Sequence, residues 1–319
     1  MPDLARRPPR VLLAAALSLG LSLAAPSPSW SSLAPLPQAR QEVGAAAVNG
    51  RVYVVGGFLA DGRTTARAEA YDPVTNTWAS LPPLPVPVNH PAAVWLGGRL
   101  YVLGGHVGPG LEGATDAVQI YEPGKGWRSG TPLPSKRGGL AAAVIGGRIY
   151  AVGGQRGPSV GDLAVYDPGR DRWTVLPPMP TRRDHLGVAV LEGRLHAVGG
   201  RTDGRDFRLT AHEVYDPASG RWSRAAPLPT GRSGHAVAAT GRCLYALGGE
   251  GSTRQGGMFG EVERYDARAG TWTTLSPMPQ ARHGMGAVTL GARLLLSGGG
   301  VVAGLGPTAA NEAFTPPPC

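Results

Sequence analysis

Residues 44–85 read GAAAVNGRVYVVGGFLADGRTTARAEAYDPVTNTWASLPPLP, and this one stretch holds four short strands with their turns. Gly44–Val48 is an apolar run. Asn49-Gly50 follows, a dipeptide whose residues tolerate positive φ and so close a tight hairpin. Arg51–Val55 is the returning strand, and Gly56-Gly57 ends it. After a loop, residues 68–71 form a third strand, Asp72-Pro73 turns the chain, and residues 78–81 form a fourth. Residues 82–85, Pro-Pro-Leu-Pro, carry the chain onward. The unit then recurs. Trp30, Trp78, Trp127, Trp173, Trp222 and Trp272 each stand 26 positions before a Gly-Gly pair, at 56, 104, 153, 199, 248 and 298. Repeats of about 40–50 residues, each of several short strands, are the signature of propeller blades.

The chain has 319 residues, with 49 Gly and 31 Pro. These fall at repeat positions, so they are turn chemistry and not low complexity. Two Cys exclude a disulfide-built scaffold and Cys-rich zinc sites. The net charge of +9 favours anionic partners without naming one. Arg6, Arg7 and Arg10 precede an apolar run over residues 11–25, which is too short to span a bilayer comfortably. Ser22-Leu23-Ala24 offers a cleavage site. Residues 1–24 are therefore expected to be a signal peptide and residues 25–319 a single domain. The protein is expected to be secreted or periplasmic, with no membrane span in the mature chain.

The same phase holds for the third strand and its turn: Tyr71-Asp-Pro, Tyr121-Glu-Pro, Tyr166-Asp-Pro, Tyr215-Asp-Pro, Tyr265-Asp-Ala and Phe314-Thr-Pro. With the Gly pair and the Trp, this pattern resembles the kelch repeat family over roughly residues 30–316. The resemblance implies an all-β, six-bladed β-propeller of four-stranded blades around a central channel. The last repeat lacks a Trp strand, and the first Trp strand, at Trp30, lacks a Gly pair. An N-terminal strand is therefore expected to join the C-terminal blade and close the ring, removing exposed edges.

Length variation is concentrated between the second Gly of each pair and the Tyr or Phe, a spacing of 12 to 16 positions. These loops share a face with the crossings between blades, and rigid scaffolds carry function on such loops. The crossings read Pro-x-x-Arg five times, giving Arg40, Arg137, Arg183, Arg232 and Arg282, with Val88 as the exception. Guanidinium forks suit carboxylate or phosphate, so the five arginines are candidate ligand contacts; holding neighbouring loops through backbone carbonyls is the alternative. Phe58, His90, His106, His185 and Arg201 on the same face complete the candidate binding set.

The seven His show no close pair at ligand spacing, and no metal or cofactor is expected. Copper oxidases related to kelch proteins need a Tyr joined to a Cys, a role that neither Cys243 nor Cys319 suits. Those two Cys map to neighbouring blades near the face opposite the loops, and export permits a disulfide between them. Nucleic acid is not expected as a partner, since no aromatic platform is interleaved with the charge. The leading expectation is a monomeric binding module for an acidic or polar ligand, small molecule, glycan or partner protein. The alternative is an enzyme. Bacterial sialic-acid mutarotases look similar, with six kelch blades and a Glu–Arg pair for proton transfer and carboxylate binding. Glu250 and Arg254 are the candidates for that pair here.

Overall fold

The structure is a computed structural model that describes residues 28–205, 207–251 and 257–319. The expected signal peptide lies outside these residues, as does Arg254. The first blade pairs Gly44–Val48, Arg51–Val55, Ala68–Asp72 and Thr77–Ser80 in chain order, all antiparallel. Four further sheets repeat this order. The sixth differs at its outer edge. Gly286–Leu290, Arg293–Ser297 and Asn311–Thr315 are followed by Ser29–Ser32, with Trp30 opposite Phe314. The N-terminal strand thus closes the ring, as the unmatched Trp30 implied.

The second strand of each blade is almost wholly apolar because both of its faces are covered by neighbouring blades. Val52, Val54 and Val55 are buried, as are Leu100, Val102 and Leu103 in the next blade. The outermost strand instead carries the Trp, which stacks at an angle on the Tyr of its own blade, 5.0–5.3 Å between ring centres. Each of these five indoles also donates its N–H to a carbonyl of the preceding crossing. Trp78 reaches Ala34, Trp127 Pro82, Trp173 Thr131, Trp222 Pro177 and Trp272 Ala226, at 2.7–3.0 Å. One residue type therefore joins five of the six blades to the one before, while Trp30 in the closing strand instead packs on Phe314.

On the face of the first hairpins, Arg51, Arg99, Arg148 and Arg242 pair with acids of their own blades and remain well exposed. Such solvated pairs contribute little. Cys243, opening the second strand of the fifth blade, is joined to Cys319 by a disulfide with a Cα–Cα distance of 6.0 Å. It ties the end of the chain to the neighbouring blade. His196 occupies the place of the usual second-strand Tyr. It packs on His212 at 2.9 Å, and burial pushes both imidazoles down to about 4.

Candidate functional site in the channel mouth

The site is built from the crossings. Two residues after each crossing arginine, or after Val88, the backbone turns into the left-handed region at Glu42, His90, Gly139, His185, Gly234 and Gly284 (φ 51–63°). The amide of each donates to the carbonyl of its counterpart in the preceding blade, at 2.7–3.0 Å. The six bonds form a closed circle at the inner edge of the ring, just before the innermost strands. Three members carry side chains and three are Gly. The Gly residues make room: a side chain at Gly284 would collide with the Glu42 carboxylate, and one at Gly139 would press on the His185 ring. Left-handed backbone costs a non-Gly residue on the order of 1–3 kcal/mol, and such cost is concentrated at functional sites.

One residue upstream, the chain bridges to the residue after each Gly pair. Asp184 meets Arg201, Ser233 meets Glu250, Gln41 meets Phe58 and Asn89 meets His106. This register brings the crossings and the variable loops to one face. Above the circle lies a pocket of about 320 Å³, lined by Gln41, Glu42, Phe58, His90, His185, Arg201, Glu250 and His283, with Leu111 and Leu305 from the loops. A smaller space of about 100 Å³ shares Glu42, His90 and His185 and continues to His235.

The polar groups of the pocket are linked. Glu250 lies 3.3 Å from Arg201 Nη1 and 3.6 Å from His283 Nε2. His283 Nε2 is 3.4 Å from Glu42, whose other oxygen is 3.2 Å from His90 Nε2. Arg201 Nε donates to Asp184 at 2.9 Å, and His185 Nδ1 meets the same carboxylate at 2.5 Å. Burial works against a charge on Asp184, but the hydrogen bond and charge of His185, with Arg201 and Ser159, hold its carboxyl well below the usual range. Burial drives His90 well below the ordinary imidazole value, assisted by His185, His106 and Arg201. His106 is pushed down to about 4, chiefly by burial. The pocket thus carries Glu42 and Glu250 on its wall, with Glu250 and the Asp184 behind it both on the Arg201 guanidinium, and at least one neutral imidazole.

Comparison with known proteins agrees with this architecture. The KLHDC2/KLHL20/DRC7 Kelch-repeats domain matches residues 23–179, and the Kelch motif matches residues 182–229 and 231–279. The chain belongs to the kelch repeat family. A 49-residue stretch is 55% identical to the F-box/kelch-repeat protein At1g67480 of Arabidopsis thaliana. That stretch covers 15% of this chain and 13% of the plant protein, so the likeness is one of repeats. The solved structure of YjhT superposes with a TM-score of 0.74 at 18% identity, covering 89% of this chain and 97% of that one. At that identity the likeness concerns the fold.

Within this kelch propeller, the candidate residues separate into two groups. Phe58, His90, His185, Arg201 and Glu250 line the pocket. His106 stands behind them, its ring edge-on to His90 at 5.8 Å. The five crossing arginines do not reach it. They are fully buried, and four pair with a Glu of the third strand: Arg40 with Glu69, Arg183 with Glu213, Arg232 with Glu263 and Arg282 with Glu312. Arg137 instead donates to the Asp162 carbonyl, with the Asp162 carboxylate at 3.8 Å. Arg40, Arg137, Arg183 and Arg232 also donate to second-strand carbonyls, at 3.0–3.4 Å. The arginines thus hold backbone of the second strands rather than only of neighbouring loops, and four of them add a carboxylate partner. A sequence signal for it existed. Glu69, Glu213, Glu263 and Glu312 each stand two residues before the repeat Tyr or Phe, and where Val88 replaces Arg the equivalent residue is the neutral Gln119. Glu42 and Gln41 were missed, because Glu42 gains its role from the circle and Gln41 from the bridge one residue upstream.

Proposed function

We propose that this chain is an exported kelch binding module that holds a small polar ligand, of monosaccharide scale, in the channel-mouth pocket. The observation carrying this reading is the pocket itself: about 320 Å³, at the lower end of the roughly 300–1,000 Å³ typical of small-molecule sites, with apolar walls and converging polar groups. Phe58, Leu111 and Leu305 offer apolar contact, while Arg201, Glu250, His283 and Gln41 offer donors and acceptors. Two carboxylates on the pocket wall, Glu42 and Glu250, against one guanidinium that Asp184 and Glu250 already engage favour a neutral or cationic polar ligand over an anion. The case for an acidic ligand leaned on the crossing arginines, whose charges are already engaged. The Arg-rich N-terminus with its apolar run supports export, and so does the Cys243–Cys319 disulfide, since such bonds persist in oxidising compartments.

The test is a thermal-shift series with neutral, amino and acidic sugars at low and high salt. A shift for one sugar class that survives salt and disappears in Glu250→Gln supports the pocket. Shifts with all anions, erased by salt, would mean only a basic surface.

A second reading, a sugar isomerase of mutarotase type, draws on one observation. Glu250 is in contact with a guanidinium, that of Arg201 from the neighbouring blade, while His283 lies 3.6 Å away. A carboxylate held between a cation and an imidazole can move a proton to and from a ring oxygen. Anomer exchange followed by NMR tests it: turnover by the wild type that Glu250→Gln abolishes supports it, and no turnover by the wild type contradicts it.

A further inference from the structure

We propose that Glu42, His90 and His185 form a binding site for a divalent first-row transition ion, of the zinc type, at the floor of the mouth pocket. One donor atom from each residue lies within 4.8 Å of the other two, and all three side chains are buried. The chain approaches from three blades, and each ligand is presented by the same left-handed backbone position, so the convergence is built by the circle of hydrogen bonds. A tetrahedral site with bonds of about 2.0–2.1 Å needs donors about 3.3 Å apart. The Glu42–His90 pair already stands at 3.2 Å.

The outer contacts supply a second argument. Metal-bound imidazoles almost always give their other N–H to a carboxylate or carbonyl oxygen, which fixes the tautomer. Both histidines have such a partner in the preceding residue. Asp184 accepts from His185 Nδ1 at 2.5 Å, and Asn89 Oδ1 accepts from His90 Nδ1 at 2.6 Å. The Asn89 amide is oriented by its own donor bonds from Nδ2 to Thr64 at 2.8 Å and to the Gly108 carbonyl at 3.3 Å. His90 Nδ1 therefore carries a hydrogen, and Nε2 is the ring atom that faces the Glu42 carboxylate. Arg201 Nη2 lies 2.9 Å from His185 Nε2, so a guanidinium stands beside that donor atom when no ion is bound. Two imidazoles and a carboxylate match the nitrogen and oxygen preference of this class of ion, and the mouth pocket leaves a coordination position open to solvent or ligand. The site does not depend on which polar ligand the pocket takes.

The experiment is calorimetric titration of the chelator-stripped, untagged full chain with Zn²⁺, with Co²⁺ absorption as an independent readout of coordination. The expected result is one equivalent bound, weakened at least tenfold in each of Glu42→Gln, His90→Gln and His185→Gln. Asn89→Ala, which removes no ligand, should weaken binding about tenfold. Circular dichroism selects the variants that fold, and the Co²⁺ ligand-field bands of the wild type stand even where a variant does not. No uptake would overturn the proposal. Uptake undiminished in folded Glu42→Gln and His90→Gln would overturn it in favour of a surface site. Sugar binding measured with chelator present reports on the polar-ligand reading separately.

Discussion

Two rings of residues lie two positions apart in the same six crossings. The outer ring is Arg40, Val88, Arg137, Arg183, Arg232 and Arg282; the inner is Glu42, His90, Gly139, His185, Gly234 and Gly284. The outer ring repeats and is buried, and four of its five arginines pair with a Glu of the same blade. The inner ring shares one backbone conformation but varies in side chain, and its three non-Gly members enclose the pocket floor. In a repeat protein, regularity marks what every blade needs in order to pack. The site lies where the repeat is broken.

The comparison is broken most directly by an outer-ring variant. Arg232→Met leaves Glu263 buried without its partner, and removing one side of such a pair costs about 3–5 kcal/mol. Denaturant unfolding should register that loss. Arg232→Val with Glu263→Gln copies the Val88–Gln119 arrangement into the fifth blade and should recover more than half of it. If Arg232→Met unfolds like the wild type, the outer ring is not structural.

Removing the disulfide acts on the scaffold at the far face. Cys243→Ser with Cys319→Ser frees a link between residues 76 apart and should cost about 2–4 kcal/mol. Ligand affinity should be unchanged. A loss of affinity would mean that the closing blade and the pocket are coupled.

Acid sharpens the comparison next. An unfolded imidazole titrates at about 6.5, whereas buried His106 stays neutral in the fold down to about 4. Its folded pKa is depressed, so its contribution is intact above pH 6.5 and is lost as the pH falls through 6.5 towards 4. At pH 5 the loss for this one residue is about 2 kcal/mol relative to pH 7. His196 and His212 act in the same direction and window. His106→Gln should flatten the stability–pH curve over that range; an unchanged slope would contradict the assignment.

The smallest effect on stability is expected at the inner ring. His90→Gly relaxes a left-handed backbone, which offsets the packing removed with the imidazole, and should change stability by no more than about 1 kcal/mol. Sugar binding should nonetheless fall at least tenfold. A large destabilisation would place His90 with the scaffold.

Much of the fold was legible in the sequence because Trp, Tyr and the Gly pair each serve a contact made in nearly every blade. The unmatched Trp30 and Phe314 disclosed the closure for the same reason. The loop face was legible from the length variation between strands. The arginine roles were harder to read. Charge type alone does not say whether a guanidinium has a partner, and the deciding signal was a Glu in another strand, about 30 positions on. The inner ring was less legible still. Glu42 looks like an ordinary crossing residue until the circle of backbone bonds brings separate blades together.

The most direct test of the central claim is to compare thermal shifts, across the sugar series, for the wild type, for an inner-pocket variant carrying Glu250→Gln and His283→Gln, and for an exposed hairpin-face variant, Arg51→Gln. The account predicts a salt-resistant shift with a polar sugar that persists in Arg51→Gln and is absent from the pocket variant. A shift retained in the folded pocket variant, or lost in Arg51→Gln, would contradict it.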